Sequence, residues 1–268
     1  MPLTDIQKEV LDILATNRSE ASHFAGGVVI NVHEESPRYS KDFDMFHEAI
    51  EDLARASEQD LVCLQDKGFN VEKMERDGEW QKPSSFRRAK VTKGKEQLDL
   101  DWAHDSAFRF FPIVEDAQLG WRLHDFDIAT NKAHALAART ETKDYIDILT
   151  LCKKYPLEAI LWAAVGKDPG FNPMSLFQMV MRFARVNPLD LPKLQAKELD
   201  PIQLKEEWIR FSDQAREEIP KLADTQPDIP IGVAFVNEKG EPGWIGKDPS
   251  LQIHKPSLRG CWPEVDGA

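Results

Sequence analysis

Apolar residues recur along this chain at two spacings, and the switch between them divides it. Ile6, Val10, Leu11 and Leu14 follow the helical period behind Thr4-Asp5-Ile6-Gln7, a capping-box pattern, so a first helix is predicted over about Thr4 to Asn17. After the turn from His23 to Gly27, Val28 to Val32 reads as a strand by β-branched propensity. Lys41 to Phe46 alternates and predicts a strand, and Glu48 to Lys67 returns to the helical period through Ile50, Leu53, Ala54, Leu61 and Leu64. Beyond Gly68 the runs Phe69 to Met74, Ser85 to Thr92 and Gln97 to Trp102 read as antiparallel neighbours. Ala107 to Val114 is an aromatic strand or strap, and a further alternating run follows Gly120 through Leu123, Phe126 and Ile128.

From Asp127 the pattern turns helical. Two helices split near Thr140 and Glu141 and stop at Pro156, followed by Leu157 to Val165, Pro173 to Val186 and Pro201 to Leu222. Met174, Phe177, Met181 and Phe183 fall at helical spacing and are read as core rather than as a cofactor stripe. Pro227 to Val236 with Asn237 to Gly240 and Trp244 predicts a small β-hairpin, and the chain after Ser250 is expected to be extended or loosely held. The class predicted is α+β. A mixed-sheet core domain covers 1–125, a helical domain that completes a cleft covers 126–225, and a hairpin and tail cover 226–268.

Composition narrows the setting. A net charge of -12 over 268 residues disfavours non-specific nucleic-acid binding by the whole surface, although a local basic patch remains compatible with it. Cys63, Cys152 and Cys261 are odd in number and widely spaced, so neither a disulfide framework nor a zinc knuckle is expected. No run approaches the length of a membrane span and no secretory leader opens the chain, which predicts a cytoplasmic protein with no membrane partner. The histidines form no zinc-hydrolase spacing, and neither a nucleophile elbow nor a Walker A loop is present.

Candidate chemistry gathers between His23 and His47. On a strand, Asp42 and Asp44 project from one face roughly 6.6 Å apart along the chain, close enough to share a metal centre. Paired hard oxygen ligands suit Mg²⁺, which takes one or two carboxylates together with substrate phosphates. Gly26 and Gly27 lack a Cβ and let backbone N–H groups approach a polyphosphate. Asp99 and Asp101 form a second same-face pair on a neighbouring strand; Asp101 is the first choice for a third carboxylate and Asp99 the second.

The order FAGG, PRYSKDFD, LDLDWA and DIATNKAHALAARTETKDYIDI, over roughly Ser22 to Lys154, resembles the AbiEii/AbiGii-type toxin nucleotidyltransferases, a branch of the DNA polymerase β-like superfamily. That family opens a helix after its glycines, against the strand propensity of Val28 to Val32. The resemblance implies a nucleotidyltransferase-fold mixed sheet with flanking helices, followed by a mainly helical lobe. It also implies transfer of an NMP from an NTP with two Mg²⁺ ions, or Mn²⁺ in their place. Asp42, Asp44 and Asp101 would be the metal ligands, and these with Lys132 and Asp144 the catalytic set. Gly26, Gly27, Arg38, Ser40, Lys132 and Arg139 would bind the nucleotide. Asp147 follows Asp144, and Lys153 completes a D-x5-K spacing with Asp147. For Arg139, Asp144 and Asp147 an ion-pair network joining the helices to the sheet is the competing reading.

For some relatives the acceptor is a tRNA 3′ end, the enzyme is a toxin, and a partner antitoxin relieves it. The basic run Phe86 to Lys95, with Arg88 and Lys90 on one strand face, could guide RNA or be a solvated strand face. Transfer to a protein or small molecule, or a non-catalytic nucleotide- or partner-binding role, are the alternatives.

Overall fold

The computed structural model describes residues 3–33, 36–75, 78–139, 141–183, 189–191, 194, 197 and 199–264. It divides into two compact units, Met1–Ala107 with Ile113–His124, and Phe108–Pro112 with Asp125–Ala268.

In the first unit, helix α1 (Asp5–Ala15) opens on the predicted capping box. The Thr4 hydroxyl accepts the Gln7 amide at 3.3 Å, and the Gln7 side chain accepts the Thr4 amide at 3.1 Å. Gln7 also donates to the Ser40 carbonyl at 2.6 Å, so the same residue that caps the helix fixes the chain leading to the aspartates. Strand β1 (Ser22–Ala25) runs into a short helix α2 (Gly26–Asn31), and strand β2 (Asp42–His47) precedes helix α3 (Ile50–Asp66). Strands β3 (Asn70–Met74), β4 (Phe86–Lys93) and β5 (Glu96–His104) form the predicted antiparallel run. Two strands fall on either side of Leu119: β7 (Val114–Asp116) and β8 (Gly120–Arg122), while β6 (Phe108–Arg109) belongs to the second unit.

The sheet order is β3-β4-β5-β2-β1-β8-β7, with β2 parallel to β5 and antiparallel to β1. Alternation explains β2 and β5. Phe43, Met45, Leu98, Leu100 and Trp102 point into the core, which leaves Asp42, Asp44, Asp99 and Asp101 on the opposite face. On the core side a buried ion pair, Arg18 to Asp60 at 2.5 Å, is closed by the Trp102 indole N–H, which donates to Asp60 at 2.8 Å.

Val28 to Val32 is not a strand. Gly26 takes φ +65°, the chain turns into α2, and Val28, Val29 and Val32 are buried by it. The short helix is held through tertiary burial and by Asn31, whose amide donates to the Gly27 carbonyl at 2.7 Å, so packing overrides the weak β-propensity of valine. The second correction lies after Gly120: β8 ends at Arg122, and Phe126 and Ile128 belong to helix α4 (Asp125–Ala138).

The second unit continues with α5 (Thr142–Cys152), α6 (Leu157–Ala164), α7 (Pro173–Phe183) and α8 (Pro201–Thr225). Asp127, buried in the first turn of α4, accepts the amides of Phe110 and Phe111 at 2.8 and 2.9 Å and the Lys167 ammonium at 2.8 Å. This ties the aromatic strap to the helices. On α7 the fully packed residues are Leu176, Phe177 and Val180, whereas Met174 and Met181 are half-buried and the Phe183 side chain lies outside the described residues. Residues 184–186 of the predicted helix, and Thr140 at the predicted split, also lie outside them.

The hairpin appears as β9 (Ala234–Val236) with β10 (Pro242–Gly243). The tail, expected to be extended or loosely held, is extended and paired: β11 (Gln252–His254) joins β9, and β12 (Ser257–Leu258) joins β6. No described helix is long and apolar enough to cross a membrane, and all three cysteines are free.

His47 makes the first unit sensitive to acid. Burial, reinforced by the charge of Arg18, lowers its imidazole from 6.5 to about 3, so the folded protein keeps it neutral where the unfolded chain takes up a proton. Stability from this residue is intact above pH 6.5 and lost as the pH falls toward 3, at about 1.4 kcal/mol per pH unit. Urea unfolding at pH 7 and pH 5.5 should show this loss in the wild type and a shallower one in His47→Gln; parallel losses would exclude His47 as the cause.

Candidate active site

The parallel register of β2 and β5 sets Asp42 opposite Asp99 and Asp44 opposite Asp101. One carboxylate oxygen each from Asp42, Asp44 and Asp101 lie within 4.8 Å of one another. Asp101 is buried and the other two are half-buried. Asp99 shares their face but lies outside this trio.

The glycine turn backs onto the trio. A Cβ on Gly26 would stand 2.0 Å from Asp44 Oδ2, and one on Gly27 would stand 2.6 Å from Ser40 Oγ and 3.0 Å from Arg38 Nη2. Glycine is therefore required at Gly26, by the positive φ and by the carboxylate, while at Gly27 a larger residue would displace the Ser40 hydroxyl and the Arg38 guanidinium. Ser40 donates to Asp42 Oδ1 at 3.4 Å, and Arg38 donates to the Tyr39 carbonyl at 2.7 Å; both side chains are buried.

Arg88 of β4 was legible only as part of a basic run. Opposite Asp101 in the antiparallel register, it forks that carboxylate, Nε to Oδ1 at 2.6 Å and Nη2 to Oδ2. Burial pushes the Asp101 carboxyl above its ordinary range against the pull of this fork, and the charges of Asp42 and Asp99 add to the rise. The same fork raises the Arg88 guanidinium. Arg87, on the other face, is buried and bonded to Ser57 and to the carbonyls of Ala54 and Glu79, so the run is not one continuous basic surface.

In the second unit Lys132 of α4 lies between two fully buried carboxylates of α5, 3.1 Å from Asp144 and 2.8 Å from Asp147. Arg139, just past the end of α4, reaches Asp144 at 2.7 Å. Lys153 is exposed and pairs with Glu207 at 3.4 Å, so the D-x5-K spacing places no described salt bridge with Asp147.

Residues 12–230 match the family described as the nucleotidyl transferase AbiEii toxin of type IV toxin–antitoxin systems. The chain belongs to this family. It is a nucleotidyltransferase, and the family assigns it a toxin role with a cognate antitoxin. No curated protein sequence matches it significantly. Among solved structures it is similar to JHP933 of Helicobacter pylori, at TM-score 0.53 and 16% identity over 85% of this chain and 99% of that one. It is also similar to MenT4, a nucleotidyltransferase toxin of Mycobacterium tuberculosis, at TM-score 0.56 and 13% identity over 83% of each chain. At these identities the likeness is one of fold.

The carboxylates of this nucleotidyltransferase fit the divalent cations that such enzymes generally use. Three hard oxygen donors converge from two adjacent strands, and the neighbouring glycines leave out the side chains that would crowd Asp44 and Ser40.

Proposed function

We propose that this nucleotidyltransferase moves an NMP from an NTP to an RNA acceptor, a tRNA 3′ end, in a Mg²⁺-dependent reaction. A new bond forms between the acceptor oxygen and the α-phosphorus as the bond to pyrophosphate breaks. The observation that carries this reading is the convergence of Asp42, Asp44 and Asp101 beside a glycine turn that backs onto Asp44. When bound, a pair of Mg²⁺ or Mn²⁺ ions stabilises the attacking and leaving oxygens.

The chain's own residues bind and orient. Asp42, Asp44 and Asp101 supply the oxygen ligands, and Asp101 also helps take the proton from the acceptor hydroxyl. Gly26 and Gly27 present backbone to the triphosphate, and Arg38, Ser40 and Arg139 complete nucleotide binding. Lys132 offsets charge on the leaving pyrophosphate, and Asp144 holds Lys132 in place, supported by their 3.1 Å contact. Positioning and electrostatics of this kind account for most of the acceleration in such transfers. The cytoplasm, where NTPs and tRNA coexist, is the proposed compartment.

The test is a screen of the purified protein with Mg²⁺, each labelled NTP, and either total RNA or lysate protein, with Asp42→Ala/Asp44→Ala as control. Labelled tRNA is expected with the wild type only. Labelled protein without labelled RNA would replace the acceptor, and no transfer to any RNA would sink the RNA reading.

A further inference from the structure

The Arg88 fork occupies a carboxylate that the proposed reaction needs for a cation. Both Asp101 oxygens are engaged by one guanidinium, Nε to Oδ1 at 2.6 Å and Nη2 to Oδ2. A bidentate arginine matches a carboxylate in geometry and charge, so it neutralises one of the three negative charges in the cluster. A divalent cation must bind beside that positive charge or drive it off. Arg88 is placed to move: its side chain is 35% exposed, against 7% for Asp101, and its guanidinium lies 5.5 Å from the centre of the half-exposed Phe86 ring. Arg88 makes this ring contact and the fork at once, so the ring stays within its reach at the edge of the site.

We propose that Arg88 is a built-in competitor of the cation at Asp101: it holds the third carboxylate in the empty site and is exchanged for the metal on loading. The arrangement has a physical logic. A buried carboxylate beside two others is costly unless a cation is present, and Arg88 supplies that cation internally until a stronger one arrives. Loading then frees a guanidinium at the edge of the site, on the face of β4 that also carries Lys90. The proposal rests on cation binding by Asp42, Asp44 and Asp101.

Direct Mn²⁺ titration of the full-length protein by electron paramagnetic resonance, without nucleotide, tests it. Arg88→Gln, which removes the competing charge, is expected to bind Mn²⁺ about tenfold more tightly than the wild type, with Arg88→Lys between the two. Equal or weaker binding by a folded Arg88→Gln protein, with the wild type binding normally, overturns the exchange and leaves the metal reading standing. No Mn²⁺ binding by either protein overturns both. The wild type gives an independent reading: saturating Mg²⁺ should shift the ion-paired Arg88 Nε–H resonance toward that of a solvated guanidinium. An unchanged resonance at saturation also overturns the exchange.

Discussion

Asp44→Asn is expected to lower nucleotidyl transfer by at least about 10³-fold without loss of the fold. The substitution keeps the shape of the side chain and removes its charge. Asp44 is half-buried, carries an oxygen of the trio, and has Gly26 packed so closely that a Cβ there would stand 2.0 Å from it. An amide can occupy the same space, so circular dichroism and the melting temperature should stay near wild type. Asp99→Asn is the matched comparison, because Asp99 lies on the same face, opposite Asp42 and two residues along β5 from Asp101, but outside the trio. Its rate is expected to stay within about tenfold of wild type, a loss too small for a ligand to the reacting phosphate. Initial rates of labelled NMP transfer measure both. A wild-type-like Asp44→Asn, or equal losses at the two positions, would mean that the trio is not the reacting centre.

Much of the carboxylate trio was legible because the strand segments that carry it alternate. In Asp42-Phe43-Asp44-Met45 and Leu98-Asp99-Leu100-Asp101-Trp102 acidic and apolar residues alternate, so the sequence itself says which side chains share a face. Two features were not legible in local pattern and propensity, for different reasons, although the family resemblance implied the first, a helix after the glycines. Val28 and Val29 favour a strand locally, but the positive φ at Gly26 and burial of the valines impose a helix, and neither is encoded by β-propensity. Arg88 was visible as a charge, but its partner is fixed by the register between β4 and β5, which depends on how Lys93, Gly94, Lys95 and Glu96 turn the chain. The basic run, open to reading as an RNA path or as a solvated strand face, makes a specific ion pair at Arg88. Beyond Asp125 the helices were readable from their period, whereas the pairing of Ser257 and Leu258 with Phe108 and Arg109 joins residues about 150 positions apart and leaves no local trace.

Lys132→Met should produce the largest loss of stability, about 3–5 kcal/mol. The side chain is only 10% exposed and serves two carboxylates with no exposure at all, Asp144 and Asp147, which lie three residues apart on one face of α5. Methionine fills similar space without the ammonium. Arg139 still reaches Asp144 at 2.7 Å from a side chain that is 48% exposed, so the Asp144 carboxylate keeps this second cation when the ammonium is lost. Adding Asp147→Asn to Lys132→Met is then expected to recover a large fraction of the stability, read as the urea midpoint by tryptophan fluorescence. The double variant also separates the two roles open to Lys132. If stability returns and NMP transfer does not, the ammonium acts on the nucleotide as well as on the helices. If both return together, Lys132 is part of an ion-pair network that holds α4 to α5, and its assignment to the leaving pyrophosphate fails.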